Sequence, residues 1–565
     1  MRETLLSFFL IYAVSVSSQI TNIGFPASWS LVQKSDVNAI SLPNIEIKKI
    51  KAEDDLNTKL GTKQPYRVGI PTDVNYGIEN NGFWTNLPNG DRIWRILFKS
   101  DNAIHLSVVF DKFYLPKGGN IFMYNDDRTD LLGAYTDIEN NKKEVLASWF
   151  VKGDKIWIEY YEPKEVKGQG KLHISKVIHG YRFGHHYQKG YYEDYQKDLN
   201  DSEDCHYDVN CFIGSDFESH KDLLKKSVAF LNMGDGFICS GALVNNTAQD
   251  RTPYFLSANH CYVRNTGLAD PSLFSMRFNW ISSNPVCAEA INSTNGPQNM
   301  VMTGSTFRAR HVLSDFVLVE IDGVIPTEWD VTYAGWDKSE TDPTFQVGIH
   351  HPKGDIMKIS RDNNGATKIV YPIESEDLYA WLIEGTKDSS NTPAEILAAG
   401  WEMGSTEGGS SGSPLFNQNG KIIGQLWGGW GGCNGLNDNS GAALYGRFAI
   451  SWENGLKQWL DPLNTDQDIL ESLQGVLAVN DEFLENNITI FPNPTEGVLQ
   501  IKASGLIGNL KYHIYNVLGQ NIKYDQLQNN TIVNLKNLPS DIYFIKITEI
   551  DTNRSFVKKI VLTAR

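Results

Sequence analysis

The sequence predicts an all-β chain built from several domains. Three observations carry that reading. Strand-length strings that alternate or run apolar recur along the chain, as in Ile104–Phe110 (IHLSVVF), Asn120–Tyr124 (NIFMY), Lys155–Tyr161 (KIWIEYY), Lys511–Tyr515 and Ile542–Ile547, with Gly, Asn and Asp clusters between them. Aromatic residues make up 11% of the chain and include 14 Trp, which suits packed sheets better than helical solenoids. All six cysteines, Cys205, Cys211, Cys239, Cys261, Cys287 and Cys433, fall in one central block, which marks that block as a unit.

The elements follow in chain order. Met1–Ser18 has a short basic start at Arg2, an apolar run over Leu5–Val16 and small residues after it, the layout of a signal peptide cleaved near Ser18–Gln19. The run is too short to cross about 30 Å of hydrocarbon, and no later stretch is long enough, so no membrane span is expected. Residues 19–199 are β-patterned and free of cysteine, and predict an antiparallel sandwich ending near Ile178–Arg182. Gln188–Glu203 is rich in Tyr, Asp and Lys without periodicity and reads as an exposed linker open to proteolysis. Residues 200–475 hold every cysteine and many glycine turns, with one late helix over Ser451–Leu460 stopped by Asp461-Pro462. Residues 476–565 form a further β-patterned, cysteine-free domain.

Charge and cysteine content narrow the class. The net charge of −16 repels phosphate backbones, so nucleic acid is not an expected partner. Six cysteines in an exported chain imply disulfides, for which fifteen pairings exist. No C-x-x-C pair occurs, so the cysteines give no support to a zinc site. Two His-His pairs, His185–His186 and His350–His351, lack a third ligand at metal spacing and read as structural or surface residues.

Three strings carry chemistry. Tyr254–Cys261 (YFLSANHC) sets His260 directly before a cysteine; Ser314–Glu320 leads from Asp315 into an apolar strand; and Gly408–Leu415 (GGSSGSPL) is a small-residue loop around Ser411. A serine hydroxyl attacks a carbonyl only with a base in hydrogen-bond reach, and the base needs an anion on its other nitrogen. His260 fits the base, Asp315 the orienting anion and Ser411 the nucleophile. The His, Asp, Ser order is that of the chymotrypsin fold, unlike subtilisin or the α/β-hydrolases. Gly409 and Gly412 let the loop turn tightly, so that the Gly409 and Ser411 N–H groups point at one spot as an oxyanion hole.

The central block resembles the lysyl endopeptidase branch of the chymotrypsin-like serine proteases. The shared strings are Cys205–Cys211 (CHYDVNC), Gly241–Thr247 (GALVNNT), Phe255–Cys261 (FLSANHC), Ala334–Asp337 (AGWD), Ile349–Pro352 (IHHP), Gly409–Pro414 (GSSGSP) and Trp459–Pro462 (WLDP). The resemblance implies a double β-barrel, no cofactor, and the disulfides Cys205–Cys433, Cys211–Cys287 and Cys239–Cys261. It also implies that residues 19–199 are a propeptide, released by a cut near Lys197–Asn200, that assists folding and covers the site during export.

The strand Gly424–Gly429 resembles the segment that pairs with substrate backbone, with Trp427 as a pocket wall and Gly428 where the pocket stays open. The family's lysine-binding aspartate, two residues before Tyr445-Gly-Arg447, is replaced by Ala443. The trypsin position, six residues before Ser411, holds Ser405. Asp438 lies in the neighbouring loop Leu436–Ser440 and either reaches the pocket or is a solvated turn residue; an uncharged pocket favours an apolar or small side chain. Ser410 replaces the aspartate with which many relatives bind a freed N-terminal amine, so activation by that ion pair is not expected.

Residues 476–565 resemble the C-terminal sorting domain of the type IX secretion route, through Ile490–Gly497 (IFPNPTEG), Ile514–Gln520 (IYNVLGQ) and Leu538–Phe544 (LPSDIYF), with Asp541 where a Gly is usual. This implies a Gram-negative exporter and release or surface attachment. The expected partners are protein or peptide substrates and the secretion machinery, and a monomer is expected. Two other classes share these features: an inactive protease-like adhesin, and an esterase with the same triad.

Overall fold

The computed structural model describes residues 24–31, 37–59, 64–182, 202–265, 267–373, 376–383, 400–429, 433, 441–474, 487–503, 510–516, 521–527, 530–549 and 555–563. The leader at 1–18, His185, His186, the Lys197–Asn200 cut and Asp438 lie outside the described residues. The chain divides into two compact units, Met1–Leu473 and Gln474–Arg565.

The N-terminal part of the first unit is a two-sheet sandwich. One sheet runs Ile40–Ser41, Arg92–Lys99, Lys155–Glu162, Asn120–Tyr124, Leu131–Tyr135, with Phe83–Asn86 also on Arg92–Lys99. The other runs Val151–Lys152, His105–Tyr114, Lys171–Gly180, Gly69–Gly77. Side chains two apart share a face of a strand, so Ile156, Ile158 and Tyr160 enter one core with Val108, Phe110 and Ile174 from the opposite sheet. The pairing is antiparallel except at Ile40–Ser41, which runs parallel to Phe98–Lys99. That strand arrives from outside the sandwich and needs no hairpin to its neighbour.

The central block contains two rolled sheets. The first runs from Val301–Thr303 through Ser275–Phe278, Val228–Asn232, Phe237–Leu243, Tyr254–Ala258 and Phe316–Ile321 to Ser305–His311. Its two end strands are separated in sequence by Gly304 alone, which brings the ends together and curls the sheet into a barrel. The second includes, in order, Lys358–Asp362, Gln346–His350, Pro414–Asn417, Ile422–Gly429, Ala443–Arg447, Glu376–Ile383 and Thr367–Ile373. Residues 363–366 connect Lys358–Asp362 to Thr367–Ile373 at the far end, and close it the same way. A buried cluster that includes Val228, Leu256, Phe316, Leu318, Val347, Phe416, Ile422, Trp336 and Trp452 joins the barrels. This is the all-β, double-barrel protease architecture.

The expected helix over Ser451–Leu460 starts earlier and is not uniform. An α-turn at Phe448–Ser451 and another at Lys457–Leu460 flank a wider turn at Trp452–Leu456, because Gly455 takes φ +139°.

Sandwich and central block share buried surface. Phe230, Ile238, Trp280, Val301 and Ile356 of the block belong to the same apolar cluster as Leu146, Trp149 and Phe150 of the sandwich. Trp149 stands edge-on to Phe230, with ring centroids 5.4 Å apart, and the Arg277 guanidinium lies 4.0 Å from the Trp149 ring centre. Burial pushes Arg277 down to about 9, against the pull of Asp130 and Tyr135. Tyr66–Arg67 also adds a strand to Phe237–Ile238 of the first barrel.

The second unit packs a three-stranded sheet, Ile488–Phe491, Val498–Ala503 and Asn530–Asn534, with a four-stranded one, Asn521–Leu527, Leu510–Tyr515, Ile542–Glu549 and Ser555–Val561. One core, including Leu499, Ile501, Ile514, Ile545 and Phe556, lies between them.

Trp149→Ala is expected to cost about 3–5 kcal/mol, because it empties a core shared by two parts of the chain and removes the nearer of the two rings against which Arg277 is buried. Urea unfolding of the full chain measures it; a loss below about 1 kcal/mol would show that the shared core contributes little to stability.

Candidate active site

His260 and Asp315 are brought together by strand register. Tyr254–Ala258 pairs antiparallel with Phe316–Ile321, with Ala258 opposite Phe316. The next residues, Asn259 and Asp315, are therefore neighbours. Asn259–Tyr262 forms a single helical turn whose N-cap, Ala258, supplies no side-chain acceptor. Asp315 fills that role. Its carbonyl accepts the Asn259 N–H at 2.9 Å and its Oδ1 accepts the His260 N–H at 3.0 Å. Its Oδ2 accepts the His260 Nδ1–H at 2.7 Å. The carboxylate thus grips both backbone and ring of His260, and leaves Nε2 as the basic nitrogen. Both residues are buried. Asp315 takes φ +53°, a conformation that Asp tolerates better than most residues.

The turn that carries Asp315 is held from the second barrel. Gln425 Nε2 donates to the Ser314 carbonyl at 2.5 Å, and the Ser451 hydroxyl donates to Ser314 Oγ at 2.9 Å.

The Ser411 loop is clamped by Ser240. The Ser240 N–H donates to the Ser411 carbonyl at 2.8 Å, and its hydroxyl donates to the Gly409 carbonyl at 2.9 Å. Gly412 N–H donates to the Leu426 carbonyl, and Leu426 N–H returns to the Ser413 carbonyl, each at 2.8 Å. Ser410 and Ser413 are buried while Ser411 is partly exposed. Among the described residues, no hydrogen bond engages the Gly409 or Ser411 N–H. Gly409 and Gly412 take φ +95° and +82°, and a Cβ on Gly412 would stand 2.2 Å from Ser257 Oγ. Only glycine fits there.

The three disulfides join Cys205 to Cys433, Cys211 to Cys287 and Cys239 to Cys261. The last ties the residue before Ser240 to the residue after His260, so the Phe237–Leu243 strand, His260 and the Ser411 loop form one cross-linked corner.

The other residues singled out from sequence fall as follows. Ala443 pairs with Gly429 and Ile383, and is buried in an apolar cluster that includes Trp381, Trp401, Leu426 and Tyr445. Trp427 is buried on the other side with Leu378, Leu382 and Leu444, 5.7 Å from the Tyr371 ring. A Cβ on Gly428 would meet nothing within 4 Å among the described residues. Ser405 is fully buried. His350 and His351 are fully buried too: His350 sits between two serine hydroxyls, and His351 binds the Asp355 carbonyl through Nδ1 at 2.9 Å and stacks on Trp280. Sequence reasoning missed Ser240, Gln425, Ser451 and His350 as supports. For Ser240 the one available signal was its place directly after Cys239.

The sandwich reaches this corner. Tyr66–Arg67 pairs with Phe237–Ile238 just before Cys239, the Val68 N–H donates to the Gly236 carbonyl at 2.8 Å, and a Cβ on Gly408 would come within 2.6 Å of the Tyr66 ring.

Comparison with known proteins places these features. Residues 199–446 match the family model described as lysyl endopeptidase, C-terminal domain, and residues 489–563 match the secretion system C-terminal sorting domain. The lysyl endopeptidase of Pseudomonas aeruginosa is 25% identical over 284 residues, which cover 49% of this chain and 55% of that protein. The chain therefore spans about half the length of this curated relative. Among solved structures, the MamO protease domain of Magnetospirillum magneticum is 9% identical, with 40% of this chain and 96% of that one covered at a TM-score of 0.23. PorZ, a surface component of the type IX secretion system of Porphyromonas gingivalis, is 10% identical, with 59% and 46% covered at 0.13. No helix among the described residues is long and apolar enough to cross a membrane. Residues 199–446 are thus similar to the C-terminal domain of lysyl endopeptidases, and the chain ends in a type IX secretion C-terminal sorting domain, which makes it a secreted or cell-surface protein.

Proposed function

We propose that this protein is a serine endopeptidase that works through His260, Asp315 and Ser411. The observation that carries the reading is the two-point grip of Asp315 on His260, beside a serine loop clamped through Ser240. Ser411 Oγ attacks the peptide carbonyl while His260 Nε2 takes its proton. Asp315 holds the Nδ1–H tautomer and stabilises the imidazolium. The Gly409 and Ser411 N–H groups receive the developing oxyanion. His260 then passes its proton to the leaving amine, and water hydrolyses the acyl-enzyme by the same route in reverse. No step requires a cofactor.

The pocket is read as uncharged. Ala443 stands where the family places its lysine-binding carboxylate, and its described surroundings are apolar. In that apolar cluster of described residues a lysine ammonium meets no counter-charge, and stripping it of water without a partner is costly. Apolar or small side chains before the scissile bond are therefore preferred.

The precursor is read as a signal peptide over 1–18, a propeptide over 19–199, the protease over 200–475 and the sorting domain over 476–565, and the mature enzyme as a monomer that acts on protein or peptide substrates. Support for the propeptide comes from Tyr66–Arg67, which lies as an added strand beside Cys239 and over Gly408, where it obstructs an extended substrate.

Three measurements test this reading. Ser411→Ala and His260→Ala are expected to lower kcat on a peptide substrate by about 10⁴-fold or more, and Asp315→Asn by about 10⁴-fold, each without unfolding the chain; wild-type turnover in Ser411→Ala would rule out the mechanism. Mass-spectrometric mapping of cuts in a mixed peptide pool, with Ser411→Ala as control, should show apolar or small residues before the scissile bond. Cuts confined to lysine would mean that a carboxylate other than one at position 443 reaches the pocket. Finally, Tyr66→Ala in the uncut chain should raise its turnover of a short peptide about tenfold, as expected from the loss of one strand contact; an unchanged rate would show that the strand does not obstruct the site.

A further inference from the structure

The Ser411 loop must keep two N–H groups aimed at one point, and Ser410 has no carboxylate with which to anchor it. The structure shows what stands there instead. Ser410 is fully buried, with its Oγ 2.8 Å from His350 Nδ1. His350 Nε2 lies 3.1 Å from Ser360 Oγ, and the Ser360 hydroxyl donates to the Ser405 carbonyl at 2.8 Å. His350 and Ser360 are diagonal neighbours, because Gln346–His350 pairs with Lys358–Asp362 and sets His350 opposite Lys358.

Proton counting fixes the roles. A hydroxyl has one proton, and that of Ser360 goes to Ser405. Ser360 Oγ must therefore accept from His350, which puts the ring proton on Nε2 and leaves Nδ1 bare. Nδ1 then accepts the Ser410 hydroxyl proton, while Ser410 Oγ accepts the Glu407 N–H at 3.3 Å. Every group is satisfied only when His350 is neutral. A second ring proton would point at a hydroxyl whose own proton had no other acceptor.

The surroundings agree. Burial, and then the neighbouring His206 and His351, push His350 well below the usual histidine range, with Lys358 acting the same way and Glu407 opposing. Glu407 itself lies 3.0 Å from His206 Nε2 and 2.6 Å from Lys353 Nζ. Burial disfavours its charge, but these partners outweigh burial and hold its carboxyl down to about 2. The negative charge next to the network is thus already neutralised by other groups.

We propose that His350 is a positioning residue for the oxyanion-binding loop. As a neutral imidazole it ties Ser410 to Ser360 and, through Ser360, to Ser405, so the segment leading to Ser411 is fastened at two points to neighbouring strands. The loop is then competent without an ion pair to any freed chain terminus, and competence does not depend on which bond is cut in maturation. This inference rests on the serine endopeptidase reading.

The test uses protein produced from the full chain, with kcat, KM and Tm measured for Ser410→Ala, Ser360→Ala, their combination, His350→Phe and His350→Gln. Ser410→Ala removes a single oxygen, so it carries the test where a His350 variant fails to fold. Ser410→Ala and His350→Phe should lower kcat about 10-fold or more with KM within about twofold, since the loop's donors act mainly in the transition state. His350→Gln, which keeps one donor and one acceptor, should recover part of the loss. Combining Ser360→Ala with Ser410→Ala should cost no more than Ser410→Ala alone, because both break one relay. Variants with wild-type kcat and only a lowered Tm would overturn the proposal and leave His350 a packing residue. A wild-type protein that cuts no peptide would instead overturn the endopeptidase reading, and this inference with it.

Discussion

Two hydrogen bonds from Ser240 are the constraint on which the candidate site depends. Through its N–H and its hydroxyl, this one residue holds the carbonyls of Ser411 and Gly409. It can do so because its strand, Phe237–Leu243, lies between Val228–Asn232 and Tyr254–Ala258. That last strand leads directly into His260, and the Cys239–Cys261 disulfide cross-links the two. Displacing Phe237–Leu243 would move His260, the Ser411 loop and the added strand Tyr66–Arg67 together.

The polar groups of this corner are buried, and burial makes them expensive unless each is paired. The groups that hold His260 and the Ser410 hydroxyl are paired: Asp315 accepts three hydrogen bonds, and His350 uses both ring nitrogens, whereas Gln425 Oε1, Ser405 Oγ and Ser413 Oγ nearby have no hydrogen-bond partner among the described residues. Networks satisfied in this way resist deformation, because any shift leaves a donor or acceptor bare in a low-dielectric setting. A site that stabilises a transition state by fixed dipoles needs that stiffness.

Much of this was legible in the chain. The short strings around His260, Asp315 and Ser411 stood out because nucleophilic chemistry demands particular residue types in a particular order, and small residues around the serine announce a tight turn. The antiparallel sandwich was visible in period-2 strings such as Lys155–Tyr161. The supporting residues were not legible. Ser240, Gln425 and Ser451 are ordinary polar residues, with partners as far as 171 positions apart in the case of Ser240 and Ser411, and nothing local distinguishes a clamp from a surface serine. His350 and His351 read as a plain pair, and only their strand register separates one that ties serine hydroxyls from one that stacks on Trp280.

The sequence by itself determined the all-β class, the protease and sorting-domain resemblances, and the uncharged residue Ala443 two places before Tyr445-Gly-Arg447, because these depend on residue identity and short spacing. Only the tertiary structure decided that the N-terminal sandwich shares a core with the central block through Trp149, Phe230 and Trp280, and that Tyr66–Arg67 extends the sheet next to Cys239. It also decided which tautomer His350 carries. These are questions of which distant groups share one buried volume. A chain settles them only when burial forces every donor and acceptor to find a partner.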